Sequence, residues 1–245
     1  MTTAPGRVAS PSVSTRGIAY HETLAAGWTQ RYAGGGFKRR ADFFIEAVLP
    51  KALVGGDWID VGCGSGFFSR VLAERGAKVV GFDGSPAMIE AARATATAKG
   101  TTEAPRYDVM AIEDLAAVKG SFDGAICLSV IEYVENPRAA IAAIAGLVKP
   151  GGRLLLSAPN RHSSLRRLQR MLRGAAAAVG SKAFPYMESS RNLWSSDELV
   201  ALLESEGFAR EAILGFDPVA PKPLWGLLSP SLWFVIGRKR EKPAA

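Results

Sequence analysis

"WIDVGCGSGFFS", residues 58–69, decides how the chain is read. Apolar residues run up to Asp60, three glycines at alternate positions (Gly62, Gly64, Gly66) interrupt them, and a helical pattern resumes at Phe67. A strand that gives way to a helix through bare backbone is the first turn of a nucleotide-binding βα unit, where main chain must come close to a ligand at the carboxyl end of a parallel sheet. Dinucleotide sites space those glycines G-x-G-x-x-G and set the pyrophosphate at the helix N-terminus. Here the third glycine of that pattern is replaced by Phe67.

Moving outward, strands and helices alternate. "KVVGFD" reads as a strand ending at Asp83, and "SPAMIEAARATATAKG" as a helix opened by a Ser85 cap and Pro86 in its first turn. A short strand follows at residues 106–109. Then come the buried strand "FDGAICLS", the helix "NPRAAIAAIAGLVKPGG" closed by proline and glycine, and the strand "RLLLSAP". Such alternation predicts a parallel, doubly wound sheet covered on both faces. The helix "SSDELVALLESEG", a strand after Gly207 and a last strand "SLWFVIGRK" complete seven strands. Upstream, two helices are expected over residues 18–32 and 37–49, broken by "AGGG".

Composition bounds the function. A chain of 245 residues, 48% hydrophobic, suffices for one α/β domain with a substantial core. The net charge of +7 leaves two readings open: an anionic partner such as nucleic acid, lipid headgroups or an acidic substrate, or simply a well-solvated surface. Two cysteines, Cys63 and Cys127, make no disulfide framework and fit a reducing cytoplasm. Residues 1–16, rich in Thr, Ser, Ala, Pro and Gly, have no apolar core of the kind a signal peptide needs and read as a disordered tail. No apolar run reaches the ~20 residues of a membrane span. The expectation is a cytoplasmic protein that touches a membrane at most peripherally.

G-x-G-x-G after an acidic residue suits a ligand that carries a ribose and a zwitterionic amino-acid tail instead of a pyrophosphate, which is the shape of S-adenosylmethionine. Asp83, ending the second strand, can accept hydrogen bonds from both ribose hydroxyls, a role that NAD sites share. With "VGCGSG", "VVGFDGSPAMIEAA", "MAIEDL", "FDGAICLSVIEYVENP" and "LVKPGGRLLLSAPNR" in order, residues 37–156 resemble the class I S-adenosylmethionine-dependent methyltransferases. "SVIEYVENP" and "LLLSAPNR" look most like the ubiquinone-biosynthesis O-methyltransferase branch, whose substrates are polyprenylated catechols. Tyr133 departs from that pattern, which has a histidine after the Ile-Glu pair, and both ends of the chain match it poorly.

The resemblance implies a Rossmann-like α/β fold: a doubly wound seven-stranded sheet, mostly parallel with an antiparallel last strand, and N-terminal helices as a lid. Residues 17–50 would form the helical cap and residues 51–245 the methyltransferase domain, with an insertion around 160–194. It also implies site roles. Gly62 and Gly64 would line the methionine part of the cofactor, and Asp60 would orient that loop or reach the amino group through water. Asp83 would hold the ribose, Gly84 and Met88 the adenosine, and Ala111 and Ile112 the adenine. Leu128 would lie near the sulfonium, and Arg40 would pair with the methionine carboxylate through a guanidinium fork. Cys63, inside the glycine loop, and Tyr32, in the lid, complete the implied cofactor-binding set, with a small space-filler as the other reading of Cys63. Tyr32 ends a lid helix that also carries Tyr20, His21 and Trp28. Structural readings stand beside these: Gly66 for close packing, Met88 and Leu128 as core, Arg39 and Arg40 as a solvated face.

A sulfonium methyl is already electrophilic, so catalysis needs in-line positioning and only optionally a base. His162, just after the fifth strand, is the candidate base, or else a surface-turn residue. Tyr133 is placed to bond an acceptor oxygen or to cap the pocket. "NRHSSLRRLQRMLRG" has the pattern of a basic amphipathic helix. Its reading is divided between peripheral membrane contact through residues 161–173, an anionic substrate group, and a solvated helix whose leucines face the core. The proline-rich residues 216–230 would close a pocket, dip into an interface or cover the sheet. The function expected is methyl transfer to a small aromatic or lipophilic acceptor, at oxygen, with a nitrogen acceptor or a non-catalytic S-adenosylmethionine-binding role as alternatives. A nucleic-acid partner is not expected, since the N/D-P-P-Y element of base-extracting enzymes is replaced by "CLSVIEY". No metal is expected, because Asp108, Glu113, Asp114 and Glu132 follow no ligand spacing.

Overall fold

In the computed structural model, which describes residues 13–52, 54–98, 103–178, 192–219 and 228–241, the alternation resolves into a single sheet. Its strands are β1 (Gly56–Val61), β2 (Ala77–Asp83), β3 (Arg106–Val109), β4 (Phe122–Leu128), β5 (Val148–Pro159), β6 (Phe208–Phe216) and β7 (Leu232–Lys239). Across the sheet they run β3-β2-β1-β4-β5-β7-β6. β1 to β5 pair in parallel. The last strand, β7, is inserted antiparallel between β5 and β6. The order of connection reverses between β1 and β4, and the carboxyl edge there is where an open sheet leaves a crevice.

Burial explains the strands. β4 has both faces covered, so its apolar run is nearly continuous rather than alternating. On one face Ile59, Cys127, Leu154 and Leu156 pack with Ile141 and Ile144 of the helix α5 (Pro137–Leu147). On the other, Trp58, Leu155 and Phe234 pack with Leu72 of α3 (Phe67–Ala73) and with Phe44 and Val48 from the N-terminal region. The crossover helices start where their sequences cap them. Asn136 accepts a bond from Ala139 N at 3.0 Å at the start of α5, and Ser195 and Glu198 form a reciprocal capping box ahead of Ser196–Ser205, here α7. The helix α4 (Pro86–Ala98) begins with proline at its first position.

The structure departs from the expected helices at four places. α1 (Val13–Glu22) begins inside the stretch read as tail, of which residues 1–12 lie outside the described residues. The helix expected over residues 18–32 is divided, because Gly27 takes a left-handed conformation (φ 81°) and a 3₁₀ turn, Thr29–Ala33, follows. α2 (Gly35–Phe43) then passes into a π-helical turn (Phe44–Val48) that seats Phe44 in the core. The "LVKPGG" segment, expected to end α5, already runs in β5 from Val148. Within the expected insertion, α6 (Ser164–Ala178) is described and residues 179–191 are not. No helix among the described residues is long and apolar enough to cross a membrane.

Candidate active site

A cavity of about 340 Å³ opens at the carboxyl edge of β1, β2 and β4. Its floor is the glycine loop. Gly62 and Cys63 both donate their amide N–H to the carbonyl of Phe82, at 2.7 and 2.9 Å, which ties the loop to β2. Gly64 N donates to Asp83 Oδ2 at 2.8 Å and Ser85 N to Asp83 Oδ1 at 2.9 Å, so one carboxylate braces the turns after both strands. Gly62 is left-handed (φ 72°), and a side chain there would collide with Val130. Gly66 faces Tyr107 instead, whose hydroxyl donates to the Gly66 carbonyl at 3.3 Å, so this glycine serves packing. Phe67, at the missing third-glycine position, stacks face to face on Tyr32 with ring centroids 4.1 Å apart. An aromatic pair that joins the cap to α3 thus stands where a dinucleotide fold would have bare backbone.

The charges under this floor are buried. Asp60, 3% exposed, accepts a 2.5 Å bond from Ser69 Oγ, and burial pushes its carboxyl up to about 7, with the like charge of Asp83 adding to the effect. Burial also raises Asp83, while the N–H groups of Ser85 and Gly64 oppose the rise. Both thiols, Cys63 and Cys127, are pushed well up by burial, which fits inert space-fillers. Arg40 reaches the cavity from α2 with its guanidinium carbon 5.7 Å from the Phe68 ring centre, and its Nε is buried without a hydrogen-bond partner. A buried, unsatisfied cationic donor calls for an anionic acceptor.

The opposite wall is made of pieces from distant parts of the chain. α1 lies across the opening: Gly17 abuts Tyr133, and Ile18 fills the space above Gly84. The His21 ring meets Tyr133 and Trp28 edge-on at 5.0 and 5.4 Å. Ser85 Oγ donates to the Glu22 carboxylate and holds the end of α1 to the start of α4. After β4 the chain turns through Ser129, a left-handed residue (φ 57°) whose N–H reaches Ser157 Oγ at 3.0 Å. Strain of this kind in a non-glycine residue gathers at functional sites. The turn brings Glu132 and Tyr133 into the cavity wall. Glu132 is 3% exposed, its Oε2 has no partner, and burial pushes its carboxyl up to about 7 against the pull of Arg166 and Arg40. Asn192 fixes the turn by donating its side-chain N–H groups to the carbonyls of Ile131 and Val134, at 3.0 and 2.7 Å. Leu165, Arg166 and Gln169 of α6 close the cavity from the insertion side, with Pro218 and Val219 beside them.

All twelve residues that the sequence reading assigned to the cofactor line this one cavity, and so does Tyr133. Met88 and Leu128 are at the same time core residues, 1% and 7% exposed, so the two readings of them coincide. His162 is not among the lining residues. Its backbone N–H donates to Asn160 Oδ1 at 2.9 Å in a tight turn, and the histidine is exposed. Sequence reasoning gave no wall role to Glu132 or Gln169, while it placed His21 in the lid helix and Arg166 in the basic amphipathic helix. The available signal was position: Glu132 comes shortly after a fully buried strand at the carboxyl edge. Among the described residues no three His, Cys, Asp or Glu side chains converge as metal ligands would.

Comparison with known proteins agrees with this geometry. Residues 31–213 match the family model described as a methyltransferase domain. The chain is 43% identical over 119 residues to the ubiquinone biosynthesis O-methyltransferase of Xanthomonas axonopodis pv. citri, a match that covers 48% of each chain. It thus spans about half the length of the curated relatives it matches. Among solved structures, a magnesium protoporphyrin IX methyltransferase from Synechocystis with bound SAH superposes with a TM-score of 0.69 at 20% identity, over 93% of this chain and all of that one. The cyclase SpnF superposes with a TM-score of 0.70 at 16% identity, over 98% and 100%. Likeness at those identities is likeness of fold.

Proposed function

Because the chain belongs to the methyltransferase-domain family, we propose that its cavity holds S-adenosylmethionine and serves methyl transfer to a small-molecule acceptor, at oxygen. The observation that carries this reading is the chemistry of the floor. A β2-terminal carboxylate, bare glycine backbone and a buried cation with an unused donor share one cavity, while Phe67 and Tyr32 occupy the ground a pyrophosphate loop would need. The residues present fit the group. Asp83 has oxygen lone pairs beyond its two backbone bonds for ribose hydroxyls, Arg40 suits the methionine carboxylate, and Met88, Ala111 and Ile112 offer an apolar slot for adenine. When bound, S-adenosylmethionine supplies an electrophilic methyl group. The chain's own part is to place the acceptor in line with that methyl and keep water out. Leu128, Tyr133, Leu165 and Val219 supply apolar surface for an aromatic or lipophilic acceptor, consistent with the name of the Xanthomonas relative.

The same reading includes peripheral contact with an anionic bilayer. α6 presents Leu165, Arg166 and Gln169 to the cavity, but Leu168, Met171 and Leu172 are 51%, 74% and 50% exposed, next to exposed Arg167 and Arg170. Apolar side chains set among arginines on one helix suit a headgroup boundary. Val219 and Leu228, within the second expected segment, are also exposed, and residues 220–227 between them lie outside the described residues. Isothermal titration with S-adenosylmethionine, S-adenosylhomocysteine and NADH tests the cofactor. Binding of the first two alone supports the reading, and a preference for NADH overturns it. Turnover is then tested on catechols, phenols and amines, and bilayer contact by cosedimentation with phosphatidylglycerol vesicles, with Leu168→Ser/Met171→Ser expected to release the protein.

A further inference from the structure

We propose that Glu132 is the base that takes the proton from the acceptor. The proposal rests on the methyl-transfer reading above and names a group within the same cavity. Three observations carry it. Glu132 sits in the cavity wall in the turn after β4, and Leu128, Tyr133, Leu165 and Arg166 line the same cavity, whose apolar part suits the acceptor. Its Oε2 is buried and bonds to nothing, so a residue of the cavity wall keeps an unused acceptor that an acceptor hydroxyl could fill. Finally, the chain is constrained to hold it there by the left-handed Ser129 before it and by the two Asn192 bonds to the carbonyls that flank it. His162, the alternative from sequence, is outside the cavity, and His21 holds a 2.8 Å bond between Nδ1 and the Gly17 carbonyl of its own helix.

The step balances without a further reactant. The acceptor O–H bond breaks and its proton passes to Glu132 Oε2. The electron pair left on oxygen forms the new O–CH₃ bond as the S–CH₃ bond breaks, and that pair stays on sulfur. The products are a methyl ether, neutral S-adenosylhomocysteine and a protonated Glu132 that returns its proton to solvent on product release. A carboxyl poised near neutrality suits this exchange, since a base works best with a pKa near the working pH. The charged groups around it are Arg166 of α6 and Arg40 of α2, both of which favour the carboxylate, with Ser129 bonding to it and the buried Cys127 beneath.

Infrared titration of the S-adenosylhomocysteine complex, wild type minus Glu132→Gln, reads the group directly. The expected result is a carboxyl band that disappears as pH rises through neutrality. A group ionised, or protonated, throughout about pH 5 to pH 9 overturns the proposal. With catechol as acceptor, Glu132→Gln should lose roughly 100-fold in kcat while binding S-adenosylhomocysteine as wild type does, and the rising limb of its pH–rate profile should vanish. A variant that keeps both rate and limb overturns it equally. Should Glu132→Gln fold poorly, Arg166→Gln gives the second reading: removal of that cation should move the limb and the infrared transition together to higher pH, and an unmoved limb refutes the assignment. Wild type that does not bind S-adenosylhomocysteine would instead overturn the methyl-transfer reading itself.

Discussion

The two walls of the cavity are built by different means. The β1–β2 wall is mostly backbone: amides of Gly62, Cys63 and Gly64 fixed on the Phe82 carbonyl and the Asp83 carboxylate, all within one stretch of chain. The β4–α6 wall is made of side chains from α1, the turn after β4, α6 and the segment after β6, and depends on Asn192 to hold its turn. Backbone geometry tolerates almost no substitution, whereas a side-chain wall can change residue by residue. One wall is therefore suited to a constant ligand and the other to a variable one.

If that contrast is sound, variants should rank by the wall they touch. The largest effect is expected for Gly62→Ala, which forces a side chain into a left-handed position and against Val130, a cost of about 2–5 kcal/mol readable by urea unfolding. Next comes a pH effect in the floor. Folded protein keeps the Asp60 proton up to about pH 7, whereas the unfolded chain releases it near 3.8. Folding therefore takes up a proton between these values. The stabilisation from this group is complete below the lower value and is lost as pH rises through the upper one. The wild-type minus Asp60→Asn difference in unfolding free energy should fall by on the order of 4 kcal/mol across that window, and a flat difference would remove the raised carboxyl. Asp83→Asn exchanges an acceptor for a donor opposite Gly64 N or Ser85 N and should weaken S-adenosylhomocysteine by roughly 10- to 100-fold in calorimetry. On the other wall, Tyr133→Phe should leave that affinity unchanged and alter catechol turnover by less than about tenfold. If Tyr133→Phe proved the more damaging to cofactor binding, the division between the walls would be wrong.

The same division explains what could be read from sequence. Gly62, Gly64 and Asp83 announce themselves because main-chain approach demands those residue types at fixed offsets from a strand end. Glu132 does not, since a glutamate in "IEYVEN" means nothing until the fold has buried it. For His162 the position after a strand was legible, while the Asn160 turn that holds its backbone was not. The first helix was read as continuous because the aromatic residues on both sides of Gly27 looked like one lid, and a single left-handed glycine divides them. Even Asp83 does more than its pattern implied: besides facing the cavity it braces two turns, so replacing it tests the loop as well as the ligand.

Asn192 lies near the end of the insertion, and its amide is fastened to the turn that carries Glu132. An engineer who exchanged the segment between Arg161 and that asparagine would change the roof over the substrate while keeping the splint that holds the turn. An exchange that ran one residue further would remove the splint too. The natural graft boundary for altering specificity in this scaffold is therefore the peptide bond before Asn192, and libraries cut there should retain turnover more often than libraries cut after it.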